Sequence, residues 1–110
     1  NIKKYAAVVS WLNSFGVSTI VAAINAFEKD RGYCREKINN YHEVYLKCSL
    51  EERIKRDKKK LYKPALNGEK KFVVDVDIPF EKPTNANLVI ETENETPEKI
   101  AKKIVKELNI

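Results

Sequence analysis

A dense cationic segment is the part of this sequence best suited to chemistry. Residues 56–63 read Arg-Asp-Lys-Lys-Lys-Leu-Tyr-Lys, so five of the eight positions carry a positive charge. Residues 68–71 read Gly-Glu-Lys-Lys, and residues 77–81 read Asp-Ile-Pro-Phe-Glu. Arginine suits two-point contacts with phosphate oxygens, and lysine suits single contacts. We therefore predict that this cationic segment belongs to a lid that closes over phosphate groups.

Composition limits the classes of protein to consider. The sequence has 110 residues, of which 43% are hydrophobic, as expected for one small folded domain. The net charge of +5 favours anionic partners such as nucleotides, nucleic acid or membrane headgroups. No apolar run approaches the roughly 20 residues needed to span a bilayer.

The two cysteines indicate the cytoplasm, a reducing compartment, and do not indicate a metal site. The first residues lack the apolar stretch of a secretory signal, so Cys34 and Cys48 are expected to be reduced thiols in a cytoplasmic protein. A disulfide between them is the alternative. No Cys or His has the spacing of a metal site, so no metal ligand is predicted.

Helices and strands are predicted to alternate along the chain. Apolar periodicity and capping signals indicate helices over residues 2–15, 27–38, 50–56, 61–66 and 97–108, and strands over 17–24, 41–48 and 87–92. The expected fold class is therefore α/β, with a parallel sheet flanked by helices. Three aromatic residues at helical spacing in the first helix are expected in the core: Tyr5, Trp11 and Phe15.

The cationic segment and its surroundings resemble the adenylylsulfate kinase (APS kinase) family. That family reads approximately R-D-x-K-G-L-Y-K-x-A, then G-E-x-K, then D-x-P-Y/F-E-x-P. The matching residues, without a gap, are Arg56, Asp57, Lys59, Leu61, Tyr62, Lys63, Ala65, Gly68, Glu69, Lys71, Asp77, Pro79, Phe80, Glu81 and Pro83. Residues 24–31 resemble the family's I-S-P-F/Y-x-x-D-R, and residues 88–92 resemble its closing strand.

The resemblance implies a P-loop nucleotide kinase-like three-layer fold. Residues 1–110 would be the C-terminal part of a single domain, with a lid at about residues 57–83. Such enzymes transfer the γ-phosphate of ATP, with Mg²⁺, onto the 3′-hydroxyl of adenosine 5′-phosphosulfate (APS) in sulfate assimilation. The partner implied is thus a small nucleotide, and a second copy of the chain is a further candidate because homodimers are common in the family.

The family's Gly-rich phosphate loop, G-x-x-x-x-G-K-S/T, does not occur in this sequence. The N-terminal strands are accordingly expected to be missing, and ATP and Mg²⁺ to be bound mainly by that missing part. This chain is then expected to be inactive alone.

The resemblance also implies roles for individual residues. Catalytic charge stabilisation falls to Lys59 and Lys63, and contacts with ATP fall to Arg56, Lys59 and Thr92. The implied acceptor-binding residues are Asn1, Ile24, Asn25, Lys71, Phe72 and Val73. Because Asn25 replaces the Ser of the family motif, a role for a phosphorylated Ser cannot apply.

The identity of the acceptor is left open by residues 71–77. Common APS kinases read K-G-F-T-G-I-D where this chain reads Lys-Phe-Val-Val-Asp-Val-Asp, so Val73 occupies the Phe site and Asp75 replaces a Gly. Some bacterial relatives carry a similar Val-Val pair and phosphorylate a cytidine diphosphoramidate used in capsule modification. That compound is the alternative acceptor.

An alternative function is that of a non-catalytic basic fragment that binds nucleotide or nucleic acid. Its binding would weaken steeply with salt.

Asp57 and Asp77 are expected to hold a lid Arg or Lys through charge-assisted hydrogen bonds.

Overall fold

The structure is a computed structural model that describes residues 2–110. The described residues form α1 (Ile2–Ser14), α2 (Glu28–Lys37), β1 (Val44–Lys47), α3 (Leu50–Lys55), α4 (Tyr62–Leu66), β2 (Leu88–Glu91) and α5 (Pro97–Leu108). Asn1, an expected acceptor residue, lies outside the described residues. None of the helices in residues 2–110 has the length and apolar character of a membrane span.

The chain divides into two compact units. The first comprises the residues up to Tyr41 together with Phe80–Lys82. The second comprises His42–Pro79 and Pro83–Ile110.

In the first unit α1 packs against α2 through a narrow face. Ala6 and Val9 are buried on α1, and Cys34 is buried on α2. The first helix was predicted over residues 2–15, and its end there is confirmed, since Gly16 adopts a φ of 76° and its N–H donates to the carbonyl of Asn13 at 2.9 Å.

The expectation that the aromatic residues of α1 are core residues is wrong. Tyr5, Trp11 and Phe15 are exposed, and Trp11 and Phe15 instead contact each other edge to face at 5.4 Å between ring centroids. The helical period was predicted correctly, but only the face that carries Ala6 and Val9 meets α2.

The predicted strand over residues 17–24 is also absent from the described structure. No backbone hydrogen bond joins residues 18–24 to any other described residue, and Ile20 is 97% exposed. An apolar, β-branched run has the composition of a buried strand, but a strand exists only where a neighbour supplies the ladder. In the part of the chain that the structure describes, no such neighbour lies beside it.

The second unit contains the sheet, which confirms the predicted α/β class with parallel strands. β1 pairs with β2 in parallel, from Val44 opposite Leu88 to Lys47 opposite Glu91. The described sheet has two strands and not the three predicted. α5 lies against β2, whose Ile90 is the most buried large side chain, at 1% exposure.

Local capping signals in the second unit are confirmed. The hydroxyl of Ser49 accepts a hydrogen bond from the N–H of Glu52 at 3.2 Å, which begins α3. The hydroxyl of Thr96 accepts one from the N–H of Lys99 at 3.2 Å, with Pro97 in the first turn of α5. These caps fix where α3 and α5 leave the sheet.

Candidate functional site

The carboxyl ends of β1 and β2 meet at one edge of the sheet, where open α/β sheets usually bind ligands. The N–H and the hydroxyl of Thr92 both donate to the carbonyl of Lys47, at 3.0 and 2.9 Å. Further along the same two segments, the N–H of Ser49 donates to the carboxylate of Glu93 at 2.7 Å. These bonds link the segments that follow the two strands at this edge.

The same bonding sets the charge state of Glu93. Because the backbone N–H of Ser49 donates to the Glu93 carboxylate, the pKa of that carboxyl lies below its ordinary value. Arg56 and Lys55 lower the pKa further by their positive charge. Glu93 is therefore a fixed anion at the sheet edge at neutral pH.

Arg56 is anchored at this edge from the C-terminal end of α3. Its Nε donates to the carboxylate of Glu52 at 2.9 Å. Its Nη2 donates to the carbonyl of Thr92 at 3.2 Å and to that of Glu93 at 3.1 Å. The guanidinium is thus oriented by three acceptors, while its Nη1 donates to no described residue.

Beside Arg56 lies an open cavity of about 420 Å³, here named the edge cavity. It is lined by Cys48, Arg53, Arg56, Asp57, Lys58, Lys59 and Tyr62. Within the described chain, Lys58 and Lys59 form no ion pair at 4.0 Å or less. A concave surface with unpaired ammonium groups and an oriented guanidinium is suited to binding a polyanion.

Arg53 lies one helical turn before Arg56 and is bonded on several sides. Its Nη2 donates to the carboxylate of Asp75 at 2.5 Å, and its Nη1 lies 3.5 Å from the hydroxyl of Tyr62. The guanidinium also lies over the Tyr62 ring, 5.6 Å from its centroid. Burial alone would lower the pKa of Arg53, but the bonds to Asp75 and Tyr62 outweigh it and raise that pKa.

The two aspartates expected to hold a lid Arg or Lys do not do so. Asp57 accepts a hydrogen bond from the backbone N–H of Tyr62 at 2.9 Å and so begins α4. Asp77 accepts from the backbone N–H groups of Phe72 and Val73. Both carboxylates bond to nearby N–H groups because these lie within five residues along the chain.

Residues 72–78, here named the lid turn, are closed by these bonds and by their own backbone. The N–H groups of Val76, Asp77 and Ile78 all point to the carbonyl of Val73, at 3.1 to 3.2 Å. The N–H of Asp75 donates to the carbonyl of Ile78 at 2.6 Å. The lid turn is thus a compact loop.

Three residues of the cationic segment and lid turn have left-handed backbone conformations that favour glycine. Lys60, Phe72 and Asp75 have φ of 53°, 63° and 67°. Each stands where the family pattern quoted above has Gly. The chain therefore keeps a glycine-type backbone path with other residues, and Phe72 projects with 83% exposure.

The structure brings only some of the predicted site residues together. Arg56 and Lys59 line the edge cavity, and Thr92 contacts Arg56 through its carbonyl. Lys63, on α4, and the lid residues Lys71 and Val73 are not among the lining residues. Sequence reasoning gave no role to Arg53 or Glu93, although the three-residue step from Arg53 to Arg56 on a helix was a usable signal.

In the first unit, a buried arginine sets the conformation of the expected acceptor segment. Arg31 is 3% exposed and donates to the carbonyls of Asn25 at 2.7 Å and Glu81 at 2.5 Å. Asn25 has a φ of 46°, and its side-chain Oδ1 is buried with no hydrogen-bond partner in the described structure. Ile24, the other expected acceptor residue of this segment, is exposed.

No group of three or more His, Cys, Asp or Glu side chains in residues 2–110 is arranged to hold a metal ion. Cys34 is buried and Cys48 is half-buried, and both are thiols with no disulfide.

Comparison with known proteins relates the chain to one family. The adenylylsulphate kinase family profile matches residues 1–91. A cytidine diphosphoramidate kinase of Campylobacter jejuni is 45% identical over 87 residues, which are 79% of this chain and 51% of that protein. An adenylyl-sulfate kinase of Bacillus licheniformis is 39% identical over 94 residues, 84% of this chain and 48% of the relative.

A third relative covers nearly the whole sequence. An adenylyl-sulfate kinase of Clostridium acetobutylicum is 36% identical over 109 residues, 98% of this chain and 54% of that enzyme. The chain therefore spans about half the length of the curated relatives it matches. With the family profile covering most of its residues, the chain belongs to the adenylylsulphate kinase family.

Proposed function

We propose that this chain is the C-terminal part of an ATP-dependent kinase that phosphorylates a hydroxyl group of a small nucleotide. The observation that carries the proposal is the position of Arg56. Its guanidinium is fixed at the carboxyl edge of a parallel sheet, beside a cavity lined by two unpaired lysines. Residues 57–83 form the lid in this proposal.

The donor set of the edge cavity fits the phosphates of ATP. Arg56 keeps its Nη1 available, and Lys58 and Lys59 offer ammonium groups that no described carboxylate neutralises. Phosphoryl transfer depends mainly on positioning and on positive charge around the migrating group. In this proposal Arg56 and Lys59 bind ATP, and the Thr92 carbonyl orients Arg56.

Lys59 and Lys63 have the catalytic role of stabilising charge on the transferred phosphoryl group. Lys63 is exposed on α4 outside the edge cavity, so its role requires a movement of the lid on binding. The described residues contain no group of three or more His, Cys, Asp or Glu side chains arranged around a common point. No step is assigned to a metal held by this chain.

Two acceptors are candidates. Phosphorylation of APS is supported by the relatives from Bacillus licheniformis and Clostridium acetobutylicum, which are named adenylyl-sulfate kinases. Phosphorylation of cytidine diphosphoramidate is supported by the 45% identical relative from Campylobacter jejuni, which is named for that acceptor.

The lid turn favours the cytidine compound. Val73 stands where the common APS kinase pattern has a Phe that packs on adenine, and a half-buried Val offers no aromatic face. Phe72 does not replace that ring, because it occupies a glycine-type backbone position and is 83% exposed.

The test is a competition assay for phosphoryl transfer. The chain is assayed alone and joined to the half of the Campylobacter jejuni relative that lies outside the match, with both acceptors present in equal amounts. We expect transfer by the joined protein, mainly to cytidine diphosphoramidate. Transfer mainly to APS would overturn the acceptor choice, and transfer to neither with ATP binding intact would overturn both assignments.

A further inference from the structure

We propose that Arg53 is a positioning residue, which ties the lid turn to the edge cavity through its ion pair with Asp75 and so sets the apparent affinity for the acceptor. The predicted effect on catalysis rests on the proposed function. The ion pair between Arg53 and Asp75 does not depend on that proposal. The ion pair joins residues 22 positions apart, at 2.5 Å between Nη2 and Oδ2.

Arg53 is held from both ends. Near the helix, its Nε lies 3.4 Å from the carbonyl of Ser49, the residue that caps α3. At its far end, the guanidinium lies over the ring of Tyr62 and bonds to Asp75. A guanidinium stacked on one ring and hydrogen-bonded near its helix is pre-organised to receive the carboxylate of Asp75.

Arg53 on α3 and Arg56 at the C-terminal cap of α3 have different partners. Arg56 is bonded to the carbonyls that follow β2, and Arg53 is bonded to the lid turn. Both line the edge cavity, but Asp75 neutralises Arg53 and leaves Lys58 and Lys59 as its unpaired cations. Arg53 therefore positions the lid turn and does not bind phosphate.

The backbone of Asp75 supports this role. Asp75 has a φ of 67°, a conformation that a non-glycine residue adopts at an energetic disadvantage. A glycine would relieve that strain but would lose the carboxylate. Retaining a side chain at this position is explained if the bond to Arg53 is what holds the lid turn, and with it Val73, in place.

The first test measures the tie in the chain by amide hydrogen exchange. Arg53→Gln and Asp75→Asn are each expected to speed exchange of the amides in residues 73–78 about two- to fivefold, as for a partly exposed ion pair. The double variant is expected to exchange no faster than either single variant. Salt at about 1 M should bring the unsubstituted chain close to the variants.

A matched control is the ion pair between Lys47 and Glu91, 3.1 Å apart on the paired strands. Glu91→Gln should leave exchange in residues 73–78 unchanged. Arg53→Lys, which keeps the charge but loses the planar fork, should fall between the unsubstituted chain and Arg53→Gln. Additive effects of Arg53→Gln and Asp75→Asn, or no effect on these amides, would overturn the tie.

The second test uses the joined protein of the transfer assay. Arg53→Gln is expected to raise KM for the acceptor about two- to fivefold, with KM for ATP unchanged. An equal rise in KM for ATP would contradict a positioning role. If the joined protein transfers phosphate to neither acceptor, the proposed function fails, and the exchange experiment still decides whether Arg53 holds the lid turn.

Discussion

The guanidinium of Arg56 donates to the carbonyl oxygen of Thr92 across 3.2 Å, and this bond links the start of the cationic segment to the end of β2. Thr92 is itself buried and bonded to the end of β1 through Lys47. The residue proposed to bind ATP phosphates is thus oriented by the sheet, although it stands at the start of an exposed segment. This arrangement makes the sheet edge the fixed side of the site.

The bond between Ser49 and Glu93 predicts a pH dependence of stability. The pKa of Glu93 is lowered from about 4.5 in the fold, so its stabilising contribution is present above that value. The contribution is lost as pH falls through the lower, folded-state pKa. In urea unfolding, Glu93→Gln should be less stable than the unsubstituted chain at about pH 7, and the difference should shrink at about pH 3.

Ser49→Ala is not a suitable control for this prediction, because the Ser49 hydroxyl also caps α3. Glu95→Gln is suitable, since Glu95 lies nearby in sequence and forms no ion pair in the described structure. If the difference in free energy of unfolding between Glu93→Gln and the unsubstituted chain stayed constant from neutral to acid pH, the prediction would be wrong.

The left-handed backbone of Phe72 predicts that glycine is better tolerated there than alanine. Phe72→Gly should stabilise the closed lid turn by about 1 kcal/mol, because glycine adopts a φ of 63° without the Cβ clash. Phe72→Ala removes the same ring but keeps the strain, so it should give no such gain. Amide exchange of residues 73–78 measures both, and faster exchange in the glycine variant would contradict the assignment.

The acceptor assignment predicts the effect of restoring the common family pattern. Phe72→Gly combined with Val73→Phe recreates K-G-F at residues 71–73 and puts a ring where the pattern stacks adenine. In the joined protein, the ratio of kcat/KM for APS to that for cytidine diphosphoramidate should rise about tenfold, equivalent to about 1.4 kcal/mol. Val73→Leu, a bulkier side chain without a ring, should leave the ratio unchanged.

The two faces of β2 predict unequal effects of truncation. Ile90→Ala should destabilise the second unit by about 2–5 kcal/mol, because Ile90 is 1% exposed and its removal leaves a cavity. Val89→Ala, at the neighbouring position and 49% exposed, should change the free energy of unfolding by less than about 1 kcal/mol. Equal effects in urea unfolding would show that β2 is not buried against α5 on one face.

Local signals in the sequence predicted the local structure well. The Ser49 and Thr96 caps and the end of α1 at Gly16 all depend on residues a few positions apart, and the structure confirms them. The prediction of a strand over residues 17–24 was wrong because a strand depends on contacts that are distant in sequence. A strand needs a partner distant in sequence, and no described backbone is bonded to that segment.

The candidate site shows the same difference between features that are local in sequence and contacts that are distant in sequence. The family resemblance implied roles for Arg56 and Lys59, and both line the edge cavity, while their contact with ATP stays a prediction. The tie between Arg53 and Asp75 could not be predicted, because the 22 positions between them say nothing about contact until the lid turn is folded. Asp57 and Asp77 were assigned to side-chain partners, but backbone N–H groups within five residues bind them first.

The most direct test of the central claim is a titration of the chain with ATP, followed by backbone NMR chemical shifts. We expect the shifted resonances to cluster at residues 48–62 and at Thr92 and Glu93, and we expect Arg56→Ala to weaken the apparent affinity for ATP at least about tenfold. Lys102→Ala, an exposed lysine of α5, should have no effect. Shifts spread over the lysines of α5, or an affinity unchanged by Arg56→Ala, would contradict the claim that the cationic sheet edge binds nucleotide phosphates.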